Sequence, residues 1–185
     1  MYRLPTEREW EYAGRSGKTG GKPYLGNRPE DICKYANVAD ERFGAAYPGN
    51  WFEPCDDGYL YTSPVGTYPP TDFGLYDIVG NVREWTDSFP DDDDGDYYIT
   101  KGGSWQERRN SVGVTAQPAN DARMRRTWIG FRVRSVTETR AERQDGRAEG
   151  ILAVAGYLSY GTLPCTCVDT YLDEGDAWMV LTIPA

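Results

Sequence analysis

Apolar and polar positions alternate strictly over Ile129, Phe131 and Val133 against Arg132 and Arg134, which predicts a half-buried strand with its arginines facing out. A helical signal lies at the other end of the chain, over Leu4 to Gly14. There Thr6 is the predicted N-cap, Glu9 completes a capping box, Glu7 and Glu9 suit the positive end of the helix dipole, and Gly14 and Gly17 stop the helix. Trp10 and Ala13 fall on one helical face, as core residues do. Tyr97-Tyr98-Ile99-Thr100 predicts a second strand, and the closing MVLTIPA a third. Most of the sequence between these elements has no period. Gly17 to Glu30 is rich in Gly, Pro and Lys, Asp57-Gly58 marks a turn, and Ser63 to Pro70 is a proline-bounded extended segment.

Composition gives this irregularity a meaning. With 21 Gly, 12 Pro and 14% aromatic residues in 185, the chain predicts a loop-rich α+β domain with large rings in its core. Such a domain needs its loops fixed by bound metal or by disulfides. The cysteines Cys33, Cys55, Cys165 and Cys167 lack CxxC spacing, so they spell neither a zinc nor a thioredoxin-like site. Histidine is absent, which removes the usual general base and the usual nitrogen ligand of transition metals. The apolar run Ile151 to Leu158 is far shorter than a membrane span. Predicted domains are residues 1–135, a polar linker at 136–150 and a tail at 151–185 of unassigned role.

The net charge of −9 argues against nucleic-acid binding. Positive charge is local: residues 101–134 hold eight Lys or Arg against Glu107 and Asp121. This basic stretch opens on Gly102-Gly103, where the backbone can turn sharply, and suits a protein partner or a small polar or anionic ligand. Its predicted contact residues are Trp105, Glu107, Arg108, Arg109, Arg123, Arg125 and Trp128. The competing reading pairs its arginines with the acidic run Asp91 to Asp96. That run is no EF-hand, because placing Gly95 sixth puts Pro90 first and Lys101 twelfth. Hard cations find better oxygen donors at Asp77 and Glu84, which flank Gly80-Asn81-Val82, and at Asn37 and Asp57 if the intervening loop folds back.

Seven segments in one order, RLPTEREWEYAGR (3–15), YANV (35–38), DGY (57–59), PVGTYPP (64–70), FGLYDIVGNVREWT (73–86), KGGSW (101–105) and GFRV (130–133), resemble the formylglycine-generating enzyme, or sulfatase-modifying-factor, family. The resemblance implies a loop-rich C-type-lectin-like fold with short helices and small antiparallel sheets, and structural Ca²⁺ at two sites. The first would use Asn37, Val38, Asp57 and Tyr59, and the second Asp77, Gly80, Val82 and Glu84. It also implies that the family's N-terminal part is missing and that the last 50 residues match nothing in the family. Family oxidases hold copper with two cysteines five apart after the Gly-Gly-Ser turn, and here those positions are Glu107 and Val112. Copper is therefore not expected, since soft thiolates select Cu(I). Related sulfoxide synthases take their iron-binding histidines from a fused partner, and this chain has none.

The expected function is a non-catalytic or repurposed member, a Ca²⁺-stabilised scaffold presenting a binding surface at 101–134. Retroelement-diversified receptor proteins look similar between GGSW and GFR. The alternative is an enzyme with chemistry other than the copper-cysteine pair, for which Ser104 and Glu107 are the catalytic candidates.

Overall fold

The structure, a computed structural model, describes residues 2–18, 29–90 and 95–135, with the strand backbones of 154–157, 166–171 and 177–182. The predicted linker at 136–150, Asp91 to Asp94 and Cys165 lie outside the described residues.

The first helix, α1 (Glu7–Gly14), forms where its caps direct: Thr6 and Glu9 make the reciprocal capping box. The short strand β1 (Tyr2–Arg3) precedes it, and a 3-10 helix (Pro29–Lys34) and α2 (Glu41–Ala46) follow. Asp40 caps α2 through the amides of Arg42 and Phe43. The remaining elements are strands: β2 (Arg83–Trp85), β3 (Tyr97–Lys101), β4 (Ala119–Asp121), β5 (Ile129–Ser135), β6 (Val154–Tyr157), β7 (Thr166–Tyr171) and β8 (Ala177–Thr182). The predicted strands at Tyr97 and in the closing run are thus present, and Cys167 lies on β7.

Strands β1-β5-β2-β3-β4 run in that order in one sheet, with β6 added to β5, while β7 and β8 form a separate hairpin. The expectation of purely antiparallel sheets is corrected here, because β2 and β5 pair in parallel, with Glu84 opposite Gly130. Parallel neighbours need a long crossover. The chain from Trp85 to Ile129 supplies one by way of β3 and β4. Beyond residue 135, β6 pairs its backbone with Gly130 to Val133 of β5. No helix of the described residues is long and apolar enough to cross a membrane.

The main core gathers Trp10 and Ala13 of α1 with Ile32, Ala36, Val38, Leu75, Ile78, Val79, Val112 and Val114. Many of these come from irregular chain, so backbone conformations hold the core together as much as strands do. Gly80 is the tightest case. Its φ is +76°, and a Cβ there would collide with the carbonyl oxygen of Asn37.

The orientation of β5 is the main correction to the sequence reading. Arg132 and Arg134 are each 3% exposed, while Phe131 and Val133 are only half-buried. The arginines turn inward because acids wait for them. Glu84 takes both Arg132 Nε and Nη2 and also accepts from Trp10 Nε1 at 2.6 Å, while Arg134 pairs with Glu9. Lys101 is 0% exposed, within 3.2 Å of Glu7 and 3.4 Å of Glu11 and close over the Trp10 ring. The helix-facing side of the sheet is therefore a matched ionic layer sealed by α1. Three of the eight cations in the basic stretch are spent inside the fold. Their partners among the described residues include Glu7, Glu9, Glu11 and Glu84.

Two predictions follow from this layer. Glu84→Gln removes the carboxylate that pairs with the buried Arg132 and is expected to lower unfolding free energy by about 3–5 kcal/mol, read as a fall in denaturant midpoint at unchanged slope. At Glu9, burial raises the carboxyl pKa, but the hydrogen bonds from Arg3 and the Thr6 amide and the charge of Arg134 outweigh it, so the net pKa is lowered. A lowered folded-state pKa contributes stability above the unfolded value that is lost as pH falls through the folded one. Melting curves below the ordinary carboxylate value of 4.5 are expected to drop more steeply for the native chain than for Glu9→Gln.

Candidate functional site

The turn after β3 is set by Gly102 and Gly103, with φ of +88° and +81°. Gly103 packs directly on Val112, which leaves no room for a side chain. Beyond the turn, the Glu107 N–H bonds the Ser104 carbonyl at 3.0 Å, and the Ser104 hydroxyl donates to Glu107 Oε1 at 2.8 Å. Arg83 of β2 reaches the same carboxylate with Nε at 2.7 Å and with Nη2. Ser104 is fully buried, and the Arg83–Glu107 pair is mostly so.

Both oxygens of Glu107 are thus engaged, one of them twice. Val112 belongs to the apolar core. The two positions where the resemblance places thiolates hold a guanidinium-bound carboxylate and a packed isopropyl side chain. That donor set does not fit Cu(I), which seeks soft sulfur ligands. The contacts with Arg83 and Ser104 give Glu107 a structural role in joining β2 to the post-turn loop.

The predicted ligand-contact residues do not converge on one point. Trp105 and Trp128 pack with Ala39 and Phe43 in a second small cluster. Arg108 is exposed and lies over the Trp51 ring at 6.0 Å. The Arg109 N–H donates to Glu53 at 2.8 Å. Arg123 pairs with Asp121 in its own turn beside β4, at 2.9 Å, and Arg125 is exposed. Burial penalises the Asp121 acid little at this exposed position, and the hydrogen bonds from Arg123 lower its pKa to about 2.

The sequence reading missed the aromatic residues on this side. Tyr47, Trp51, Phe52 and Tyr61 are all exposed, Trp51 to 79%. Tyr61 stands edge-on to Trp105 with centroids 5.1 Å apart, and Phe43 meets Trp105 at 6.1 Å. The four exposed rings therefore continue the surface of the stretch from Trp105 to Arg108. They come from loop without a period, so nothing in the pattern marked them; the density of aromatic residues between 47 and 61 was the available signal.

The two oxygen-rich quartets sit back to back. The Asn81 N–H donates to the Asn37 carbonyl at 2.8 Å, and the Trp105 N–H to the Asn81 carbonyl at 2.9 Å. In the first quartet, Asn37 and Val38 are buried, and Asp57 accepts from the amides of Val38 and Tyr59 at 2.8 and 2.9 Å. Burial pushes the Asp57 pKa to about 7, against those two amides. Asn37 Oδ1 is buried with no hydrogen-bond partner.

In the second quartet, Asp77 and Asn81 adopt φ of +53° and +60° about Gly80. Burial raises the Asp77 pKa to about 6, although the Gly66 amide and Arg132 oppose it. Asp77 Oδ1 has no partner either. Glu84 stays engaged by Arg132 and Trp10. Orphaned acceptors of this kind are what a hard cation satisfies.

A feature the sequence reading did not pair is the disulfide Cys33–Cys55, closing a separation of 22 residues. A cross-link over such a loop contributes about 3 kcal/mol by the chain-entropy account. The Cys33 sulfur and carboxylate oxygens of Asp40 and Asp57 all lie within 4.8 Å of one another.

The family model of the sulfatase-modifying factor enzyme 1-like domain matches residues 1–136. A Bos taurus protein named inactive C-alpha-formylglycine-generating enzyme 2 is 34% identical over 139 residues, covering 72% of this chain and 44% of its own. The chaperone protein LppX of Paenibacillus barcinonensis is 35% identical, covering 65% of this chain and 44% of its own. This chain thus spans less than half the length of these relatives. Among solved structures, PvdO from Pseudomonas aeruginosa superposes with a TM-score of 0.57 at 30% identity, over 71% of this chain and 51% of that one. The Treponema denticola variable protein 1 gives 0.56 at 27% identity, over 71% and 46%. The chain belongs to the sulfatase-modifying factor enzyme 1-like domain family, whose homologues include the formylglycine-generating enzymes.

Proposed function

We propose that this chain is a non-catalytic or repurposed member of its family: a Ca²⁺-stabilised scaffold of C-type-lectin-like topology that presents a ligand- or protein-binding face around residues 101–134. The observation that carries the reading is the Arg83–Glu107–Ser104 set, which occupies the position of a thiolate site with an internal ion pair. The relative named as an inactive formylglycine-generating enzyme supports it.

The calcium part rests on the orphaned oxygens of Asn37 and Asp77. Asn37, Asp57 and the carbonyls of Val38 and Tyr59 would hold one ion. Asp77, Glu84 and the carbonyls of Gly80 and Val82 would hold the other, with Glu84 shared with Arg132. Bound Ca²⁺ supplies no redox chemistry there; it fixes irregular loops. The binding face combines Arg108 and the partly buried Trp128 with Tyr47, Trp51, Phe52 and Tyr61, over the buried Trp105. Exposed aromatic rings beside an arginine are the usual anchors of protein recognition, and the chaperone-named relative favours a protein partner over a small ligand.

Incubated with copper, O₂ and a sulfatase-motif peptide, the protein is expected to form no aldehyde above a protein-free control, measured by hydrazide capture. Aldehyde formation at a multiple-turnover level would remove the non-catalytic reading. Chelator is expected to lower the melting temperature, and added Ca²⁺ to restore it, by ligand linkage. An unchanged melting temperature across saturating chelator and millimolar Ca²⁺ would remove the calcium scaffold.

A further inference from the structure

We infer that the Cys33–Cys55 disulfide sets the affinity of the Asn37–Asp57 cation site, so that the site holds a hard divalent cation when oxidised and gives it up when reduced. This rests on the calcium reading above and adds to it a redox dependence of one site and not the other.

The donors of this site come from two separate stretches, and the disulfide ties one to the other. Cys33 lies in the last turn of the 3-10 helix, which leads to Asn37 and Val38, and Cys55 lies just before Asp57 and Tyr59. The two halves are held differently. Asn37 is anchored to the rest of the domain by the Asn81 amide on its carbonyl and by its own Nδ2 on the Tyr61 carbonyl at 2.7 Å.

Asp57 is tied across to the Asn37 stretch by non-covalent contacts. Its amide donates to Asp40 Oδ2 at 2.9 Å, its carboxylate accepts from Val38 and Tyr59, and the Glu41 amide donates to the Cys55 carbonyl at 3.0 Å. The Tyr68 hydroxyl reaches the Asp57 carbonyl at 3.4 Å, Arg42 pairs with Asp56, and the Glu53 amide donates to the Ala39 carbonyl at 2.7 Å. Cys55 adds a covalent tie to these. Opening the disulfide leaves the Asp57 side on hydrogen bonds and an exposed ion pair alone, which widens its motion against Asn37. A hard cation needs its oxygens at one short distance, so freeing one half costs affinity by returning the ordering entropy of the loop to the binding step.

The Cys33 sulfur lies within 4.8 Å of carboxylate oxygens of Asp40 and Asp57, so the disulfide is adjacent to the donor set. Cys55 is half-buried, which gives a small reductant a path to its sulfur. Reduction is by thiol–disulfide exchange with a dithiol. One dithiol thiolate attacks the disulfide and forms a mixed disulfide, and the second closes it. The dithiol leaves as a cyclic disulfide having given two electrons, and Cys33 and Cys55 each take up one proton. Linkage is reciprocal, so a bound cation must make the disulfide harder to reduce by the same factor. The Asp77–Glu84 site has no such cross-link, since Glu84 is fixed by Arg132 and Trp10. It is the internal control.

The test is calorimetric titration of Ca²⁺ into the oxidised chain and into the Cys33→Ser/Cys55→Ser variant, with circular dichroism to establish that both are folded. The expected result is that one of the two sites weakens by roughly tenfold or more while the other keeps its affinity. A second arm needs no variant: the equilibrium constant for reduction of Cys33–Cys55 in a buffer of reduced and oxidised dithiothreitol, read by alkylation and mass spectrometry, is expected to fall by a similar factor in saturating Ca²⁺. If the variant does not fold, this arm decides. No Ca²⁺ uptake by the oxidised chain overturns the calcium reading and this inference together. Equal affinities in both forms, weakening of both sites alike, or a reduction equilibrium indifferent to Ca²⁺ overturns this inference alone.

Discussion

The buried carboxylate of Glu84 is the point on which the architecture turns. It lies on β2, accepts from the indole of Trp10 on α1, and binds the guanidinium of Arg132 on β5 through both oxygens. The same guanidinium reaches the carbonyl of Tyr76 at 3.1 Å, which ties in the loop carrying Asp77 and Gly80. One anion therefore links the helix, the parallel strand pair and the loop beneath the Gly-Gly turn. Burying such a pair gains little over an apolar core of the same volume, but leaving either half alone costs several kcal/mol. The pair thus selects one arrangement of α1, β2 and β5 out of those that would bury the same apolar area.

This explains which parts of the fold the sequence displayed. Helix α1 was legible because its determinants are local: Thr6 and Glu9 satisfy each other within one turn. Strand β5 was legible as a strand and Ile129 is buried as its pattern predicts, yet Arg132 and Arg134 turn inward while Phe131 and Val133 are only half-buried. Alternation gives the parity of the two faces, and the usual rule that arginine faces water then assigns them. Here Arg132 and Arg134 meet acids 48 and 125 residues away, which no window along the chain contains. The Cys33–Cys55 pairing was hidden for the same reason, since its partners share neither a motif nor an element.

The site shows a similar division. The location of the turn at Gly102 and Gly103 follows from glycine chemistry, and both residues do adopt positive φ. What fills the turn did not follow. Glu107 in isolation is an acid that can serve as a base; placed against Arg83 and Ser104 it is one end of a clamp between β2 and the post-turn loop. Reading a carboxylate as catalytic or structural depends on who holds its oxygens, and that is a tertiary fact. The same holds for the basic stretch, whose outward charge is less than its composition because Lys101, Arg132 and Arg134 are consumed internally.

The irregular half of the domain poses a different physical problem, because loops that carry buried polar atoms must satisfy them without a sheet or helix to do so. Asn81 meets part of that demand: its amide and carbonyl join Asn37 to Trp105, and its side chain exchanges hydrogen bonds with the backbone of Ser63 at 3.1 and 3.2 Å. Asn37 Oδ1 and Asp77 Oδ1 remain, one on either side of that hub, and neither finds a protein donor. Among the described residues Ser63 Oγ, Trp105 Nε1 and Arg83 Nη1 are also buried without a partner, but the amide oxygen of Asn37 and the carboxylate oxygen of Asp77 can only accept, and a buried acceptor without a partner costs about 1–3 kcal/mol. A cation at each place would finish the network that Asn81 begins, and it would do so in the loops that support the turn and the exposed aromatic face.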